Sequence, residues 1–411
     1  MIKASIITIG DEILVGQTVD TNSAWIAQKL YTAGISILEI ISISDQDKTI
    51  REALDRELEK SDLIIITGGL GPTQDDITKN TLASYFGDQL VIYPHILEKI
   101  KQMFESVKRP FLEVNRLQAL LPQQATIIEN DLGTASGMWF KKNNKSVISL
   151  PGVPYEMKGL MEKIIPLLTH EYGIQEFYHQ TILFQGIGES QLANEIATDE
   201  TNCRQAGISV AYLPSPGIVK IRLTGQKNQS KIIAEQLDKW QKQFEANCFG
   251  REQETLETVI GSLLRDLNKT VSTVESCTGG ALSARIVSIP GSSDYYLGSI
   301  ISYANDIKEK ITGVKRETLM GFGAVSQQTV EEMAQNGRKI LNTDFCIATS
   351  GIAGPDGGTA EKPVGTVWIA IATQEKVFSK SFLFKHNRER NIELTVVYAL
   401  NFLRRVILKI E

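Results

Sequence analysis

Val274-Glu275-Ser276-Cys277-Thr278-Gly279-Gly280 opens a stretch that runs to Lys308 and decides how the C-terminal part of the chain folds. The β-branched run 270–274 before the glycines reads as a strand. Paired glycines end it, and the apolar spacing of Ala281, Ala284 and Val287 reads as a helix. Pro290-Gly291-Ser292-Ser293 turns the chain, and Ile301-Ser302-Tyr303-Ala304-Asn305-Asp306-Ile307-Lys308 closes the stretch with a strand and then a lysine. Strand, glycine turn, helix, loop, strand is α/β order. It also sets backbone N–H groups at a helix N-terminus, a place that favours an anion. A serine beside a buried lysine makes a nucleophile and its base without histidine, because burial lowers the ammonium pKa. Spacing alone leaves open whether the two groups meet.

The rest of the chain bounds the setting. Its 411 residues are enough for two or three domains, each with its own core. Net charge is −5, and Lys and Arg are interleaved with Asp and Glu; the basic runs Lys141-Lys142 and Arg404-Arg405 are short. That balance argues against direct contact with nucleic acid. The four cysteines, Cys203, Cys248, Cys277 and Cys346, form no Cys-x-x-Cys pair, which argues against a disulfide framework or a structural zinc site. No apolar run has the length of a membrane span, and the sequence enters a strand pattern directly at Lys3-Ala4-Ser5-Ile6-Ile7-Thr8-Ile9. The expected location is cytoplasmic, and a homodimer is the expected assembly on general grounds.

In chain order, a strand at 3–9, a helix capped by Asp20 or Thr21, a strand at 35–43, a helix at 48–60 and a strand at 63–67 predict a parallel sheet with helices on its faces. Such sheets bind ligands beyond the carboxyl ends of their strands. Thr67-Gly68-Gly69-Leu70-Gly71-Pro72-Thr73-Gln74-Asp75-Asp76-Ile77-Thr78 sits at that edge, and its glycines let the backbone approach a phosphate-bearing ligand. Asp11, Glu12, Asp75 and Asp76 could hold a hard divalent cation, or could be acids favoured at a helix start. A small α+β unit follows, with strands at 177–184, 208–213 and 218–224, a helix from Glu189 to 197, and another over 229–244. Phe249-Gly250-Arg251-Glu252-Gln253-Glu254 reads as a linker into the last domain. Four histidines, His95, His170, His179 and His386, lie in no motif with a nucleophile and an acid, so a Ser-His-Asp triad is not expected.

The stretch 274–308, with Ser350-Gly351-Ile352-Ala353-Gly354-Pro355-Asp356-Gly357-Gly358 and Glu361-Lys362-Pro363-Val364-Gly365-Thr366, resembles the C-terminal domain of the CinA family over residues 255–411. The resemblance implies a nicotinamide mononucleotide deamidase, which hydrolyses the carboxamide to the acid and releases ammonia. It implies Ser293 as nucleophile, Lys308 as base and Tyr303 as a helper in proton relay. Ser276, at the strand-to-turn junction, is the rival nucleophile or a turn-holding serine, and Cys277 is a further option. Ser276, Thr278, Gly279, Gly280, Asn305, Ser350, Gly351, Gly354 and Thr366 are the implied substrate-binding residues. Arg388 would pair with the 5′-phosphate or merely solvate a helix end. No cofactor is expected at this site.

Thr67-Gly68-Gly69 and Asp76-Ile77-Thr78 are similar to the signature of the molybdopterin-binding fold of MoaB, MogA and MoeA proteins. Gly10-Asp11-Glu12-Ile13-Leu14, Asp20-Thr21-Asn22-Ser23 and Leu150-Pro151-Gly152-Val153-Pro154-Tyr155-Glu156-Met157 look like its CinA branch, where the domain is associated with metal-dependent hydrolysis of ADP-ribose. The resemblance implies a diphosphate site at Thr67, Gly68, Gly69, Gly71 and Asp76. It implies a divalent metal ion, of open identity, at Asp11, Asp75, Asp76 and Glu156. The expected architecture is α/β throughout. A three-layer MoaB/MogA-like domain spans 1–170, a small α+β middle domain 171–250 and an α/β deamidase domain 255–411. Partners would be the two small nucleotides. A pterin-binding module and a non-enzymatic competence or DNA-damage accessory protein are the alternatives.

Overall fold

The computed structural model describes residues 2–73, 76–174 and 177–411. It divides into two compact units, one of residues 1–178 with 226–228 and one holding the remainder. Among the described residues, no helix is long and apolar enough to cross a membrane.

The N-terminal unit is built on a six-stranded sheet in the order Ser36–Ile43, Lys3–Ile9, Leu63–Thr67, Lys145–Leu150, Gly137–Lys142, Thr126–Ile128. The first four strands are parallel and the last two antiparallel to their neighbours. Leu63-Ile64-Ile65-Ile66 is buried on both faces, as a central parallel strand demands. Ile64 and Ile66 pack on one side, Ile65 on the other with the helices Thr21–Thr32 and Pro154–Glu171. Asp20 caps the first of these helices by accepting from Ser23 N at 2.9 Å, and its other oxygen accepts from Thr8 Oγ1.

The second unit contains two sheets. The smaller runs Ser209–Ser215, Ile218–Gln226, Phe177–Gln185, Cys248–Arg251. Where one helix to residue 197 was expected, two occur, Glu189–Glu195 and Ala197–Gln205, broken at Ile196. The expected linker is also different: Cys248–Arg251 pairs antiparallel with Phe177–Gln185, and Phe249 is buried. Two apolar residues, Cys248 and Phe249, give the segment something to bury, so its polar flank does not free it. The larger sheet runs Tyr296–Ile301, Val271–Glu275, Phe345–Gly351, Thr366–Ala372, Val377–Leu383. Its first three strands are parallel, and the last two are antiparallel additions.

One apolar core joins the two sheets. Leu183 and Phe249 of the smaller layer cluster with Leu256, Ile260, Leu400 and Leu403 of the larger. The final helix, Arg388–Ile407, carries a buried arginine into that junction. Arg404 donates to the carbonyls of Cys248 and Ala246, each at 3.0 Å, and to Asn401 Oδ1 at 2.8 Å. Burial lowers the Arg404 pKa, so these carbonyls matter: they satisfy a charge that has left water.

Candidate functional site

The strand Val271–Glu275 points its carboxyl end at the turn Ser276-Cys277-Thr278-Gly279. Gly279 (φ +59°) and Gly280 (φ +103°) take left-handed backbone that a side chain would resist, and so swing the chain into the helix Ala281–Val287. The neighbouring parallel strand Tyr296–Ile301 ends level with Glu275, because Glu275 is paired with Ile301. Ser302 therefore emerges beside Ser276. One turn later, the short helix Asn305–Lys310 returns Lys308 to the same place.

Lys308 is 1% exposed and Ser276 8%. The lysine Nζ donates to Ser276 Oγ at 2.9 Å, to the Ser302 carbonyl at 2.7 Å and to the Tyr303 carbonyl at 3.0 Å. Among the described residues no carboxylate bonds to it, and desolvation lowers its pKa from 10.5 to about 8. The two carbonyls fix two of its N–H bonds. The third tetrahedral direction faces Ser276, so in the neutral amine that direction holds a lone pair aimed at the serine hydroxyl. This is the geometry of a hydroxyl nucleophile with an amine base.

The expected pairing of Lys308 with Ser293 is not what the fold makes. Ser293 is exposed on the single turn Ser292–Asp294, before the strand Tyr296–Ile301 begins, whereas Lys308 follows the strand's far end. A six-residue strand separates them, roughly 17 Å of chain. Cys277 is unsuited to be a thiolate: it is buried in the apolar core and burial pushes its pKa up to about 12.

The helix N-terminus expected to receive an anion is already filled. Glu275, fully buried, accepts from Gly280 N at 2.9 Å, Leu282 N at 3.1 Å and Ser283 N at 2.8 Å, and also from Ser283 Oγ. Gly279 N donates instead to the Ser276 carbonyl. Gly279, Gly280, Leu282 and Ser283 thus spend their N–H groups internally and do not offer them to a substrate anion.

Arg388, exposed at the start of the last helix, is a cation tied into this network. It donates to the Gly354 carbonyl at 2.8 Å and to the Tyr303 hydroxyl at 3.1 Å. Tyr303, 60% exposed, therefore links the lysine through its carbonyl to the arginine through its phenol. Gly354 (φ +93°) belongs to the second glycine loop, so that loop does approach Tyr303 through Arg388. Thr278 bonds Thr349 by their hydroxyls at 2.8 Å, tying the turn to the next strand. Ser350 is buried and donates to the Ala324 carbonyl, Gly351 is packed against Val367, and Thr366 donates to the Pro363 carbonyl; these hold loops rather than face the lysine. Asn305 is exposed at the start of the lysine's helix.

In the N-terminal unit a cleft of about 460 Å³ lies beyond the carboxyl ends of Lys3–Ile9, Leu63–Thr67 and Lys145–Leu150. Thr67, Gly68, Gly69, Gly71, Asp76 and Glu156 all line it. Gly68 (φ +117°) crosses so close to the first strand that a Cβ would stand 2.1 Å from the Ile9 carbonyl oxygen. Asn22, not singled out from the sequence, is buried here and donates to Thr67 Oγ1 and to the Gly152 carbonyl, while its Oδ1 has no partner among the described residues. Its position in Asp20-Thr21-Asn22-Ser23 was the available signal.

Among the described residues the expected metal ligands Asp11, Asp76 and Glu156 form no metal-binding cluster. Asp75 lies outside the described residues. Asp76 accepts from Thr73 N at 3.0 Å and from its hydroxyl, and Glu156 accepts from Asn130 Nδ2 at 2.6 Å with its pKa raised by burial. Glu12 rather than Asp11 lines the cleft, and among the described residues no three carboxylate, imidazole or thiol groups gather as a metal would require.

Comparison with known proteins gives three family matches in chain order. Residues 5–170 match a "Probable molybdopterin binding domain", 179–250 the "Damage-inducible protein CinA KH domain" and 253–407 the "CinA C-terminal domain". A CinA-like protein of Flavobacterium psychrophilum is 45% identical, with 99% of each chain covered. Another, of Cytophaga hutchinsonii, is 43% identical over 100% of this chain and 99% of its own. Among solved structures, CinA from Thermoplasma acidophilum is 40% identical, covering 40% of this chain and 97% of that one, with a TM-score of 0.36.

Proposed function

The chain belongs to the CinA family, and from that premise we propose that its last domain is a Ser-Lys amidohydrolase acting on nicotinamide mononucleotide. The observation that carries this is the buried contact of 2.9 Å between Lys308 Nζ and Ser276 Oγ. Neutral Lys308 takes the Ser276 proton as Oγ attacks the carboxamide carbon. The resulting ammonium gives that proton to the departing nitrogen, releasing ammonia and leaving an acyl ester on Ser276. Lys308 then deprotonates a water that attacks the ester carbon; the bond to Ser276 Oγ breaks, Lys308 returns the proton to that oxygen, and the acid leaves. Arg388 suits the substrate's 5′-phosphate, since its guanidinium is exposed while Tyr303 ties it to the lysine. The choice of this nucleotide rests on the family resemblance. Ammonia release from nicotinamide mononucleotide, lost in Ser276→Ala and retained in Ser293→Ala, tests the reading; retention in Ser276→Ala sinks it.

For the N-terminal cleft we propose a phosphate-bearing nucleotide, with ADP-ribose the candidate by resemblance. The close backbone at Gly68 and the position beyond the strand ends support it. The described carboxylates do not fit a metal centre, so no hydrolytic step is derived through one. A pterin is the second reading, supported by the match to a molybdopterin-binding domain. Calorimetric titration with ADP-ribose and with molybdopterin separates the two, and product analysis with and without added magnesium tests cleavage.

A further inference from the structure

We propose that Glu275 is the positioning residue for Ser276: its carboxylate staples the nucleophile turn closed, so that the hydroxyl stands where Lys308 can reach it. This rests on the reading of Ser276 as nucleophile given above.

Glu275 ends the strand Val271–Glu275 and is 0% exposed. A carboxylate removed from water has to be paired or fully hydrogen-bonded. No salt bridge involving Glu275 occurs among the described residues; it is held by donors. Three backbone N–H groups and the Ser283 hydroxyl converge on it, all from the far side of the glycine turn. Thr273 Oγ1 adds a longer bond at 3.4 Å and also bonds Ser283 Oγ at 2.9 Å. The carboxylate therefore joins the two ends of the loop that presents Ser276.

The rest of the loop is pinned from the opposite side. Ser276 N donates to the Thr349 carbonyl at 3.0 Å, and Ser302 N to the Glu275 carbonyl at 2.9 Å. The Thr278 and Thr349 hydroxyls meet at 2.8 Å. The sheet thus fixes the entry to the turn, and the Glu275 side chain takes the largest set of bonds at its exit onto the helix Ala281–Val287, beside the Ala281 N to Thr278 carbonyl bond and the Thr273–Ser283 hydroxyl pair. Left-handed Gly279 and Gly280 give the exit freedom that something has to remove. A loop without the staple keeps Ser276 in the chain but lets Oγ drift from Nζ. A displacement near 1 Å at a reacting group costs on the order of a hundredfold in rate.

The test uses the full chain. Glu275→Gln keeps the shape and sets an amide N–H₂ against backbone donors, which breaks part of the staple. Ser283→Ala, a milder variant, removes only the hydroxyl bond. Two readouts are taken on each: kcat and KM for ammonia release, and the rate at which a fluorophosphonate probe modifies Ser276, located by peptide mass spectrometry. The expected result is a fall of about 10- to 100-fold in kcat and in labelling rate for Glu275→Gln, with KM within about twofold of the parent. Ser283→Ala moves both in the same direction by less. A folded Glu275→Gln protein with parental labelling overturns the proposal, as does a loss that appears in KM alone. If Glu275→Gln does not fold, parental labelling in Ser283→Ala overturns it. Labelling without ammonia release in the parent defeats the substrate assignment and leaves the staple to be judged on labelling. No labelling of Ser276 in the parent defeats both.

Discussion

Lys308 Nζ stands 2.9 Å from Ser276 Oγ across 32 residues of chain, and both groups are buried. The Ser302 and Tyr303 carbonyls take two of the lysine's hydrogens, so the amine can deliver its lone pair in one direction only.

Ser276→Ala and Lys308→Ala each lower kcat for amide hydrolysis on the order of a thousandfold, whereas Ser293→Ala stays within about twofold of the parent. Steady-state ammonia release measures this. Equal losses from Ser276→Ala and Ser293→Ala would contradict the assignment.

The rate rises with pH through about 8, because the base works only as the neutral amine and burial holds the Lys308 pKa there. Roughly one enzyme in ten is competent at pH 7 on that value. A kcat profile flat between pH 6 and 9 would show that Lys308 is not the base.

The same burial predicts an opposed effect on stability. A lysine whose pKa falls from 10.5 to about 8 on folding binds protons more tightly when unfolded, so it destabilises the fold below pH 8. That cost fades as pH rises from 8 to 10.5. Lys308→Met should therefore be inactive yet more stable at pH 7, by at most about 3 kcal/mol less whatever the two stranded carbonyls cost. Denaturant unfolding of parent and variant at pH 7 and pH 10 checks it, and the gap should narrow at the higher pH.

Arg388→Ala should raise KM for the mononucleotide about 10- to 100-fold while changing KM for the corresponding riboside little, since only the former carries a phosphate. Parallel kinetics on both compounds decide. An equal loss on the two would assign Arg388 to holding Tyr303 and the Gly354 loop.

Gly68→Ala should destabilise the N-terminal unit by about 2–4 kcal/mol, because the new Cβ meets the Ile9 carbonyl and the backbone is left-handed. Hydrogen exchange in the strand Leu63–Thr67 is the measurement, and protection equal to the parent's would contradict it.

Much of this was legible in the sequence where one residue dictates one local outcome. The strand Leu63–Thr67 and the Asp20 cap are read from apolar runs and a capping side chain. Lys308 could be nominated from the stretch itself. The choice between Ser293 and Ser276 as its partner could not be made there, because strand register decides whether a serine ends beside the lysine or at the other end of the sheet, and register is a tertiary fact. Glu275 escaped notice for a related reason. An acid at the end of a strand reads as solvated until the turn folds five donors' worth of backbone and hydroxyl over it.

The core common to the two sheets of the second unit has a thermodynamic corollary. Phe249 and Leu183 are buried among side chains of the last domain, and Arg404 closes the seam. The stretches 179–250 and 253–407 match separate family models. Modules that share apolar contacts in this way melt as one cooperative block, so calorimetry of the second unit should give a single transition. Severing the chain near residue 252 would then leave a C-terminal fragment with a sticky apolar flank, and its solubility, before its chemistry, would register the missing neighbour.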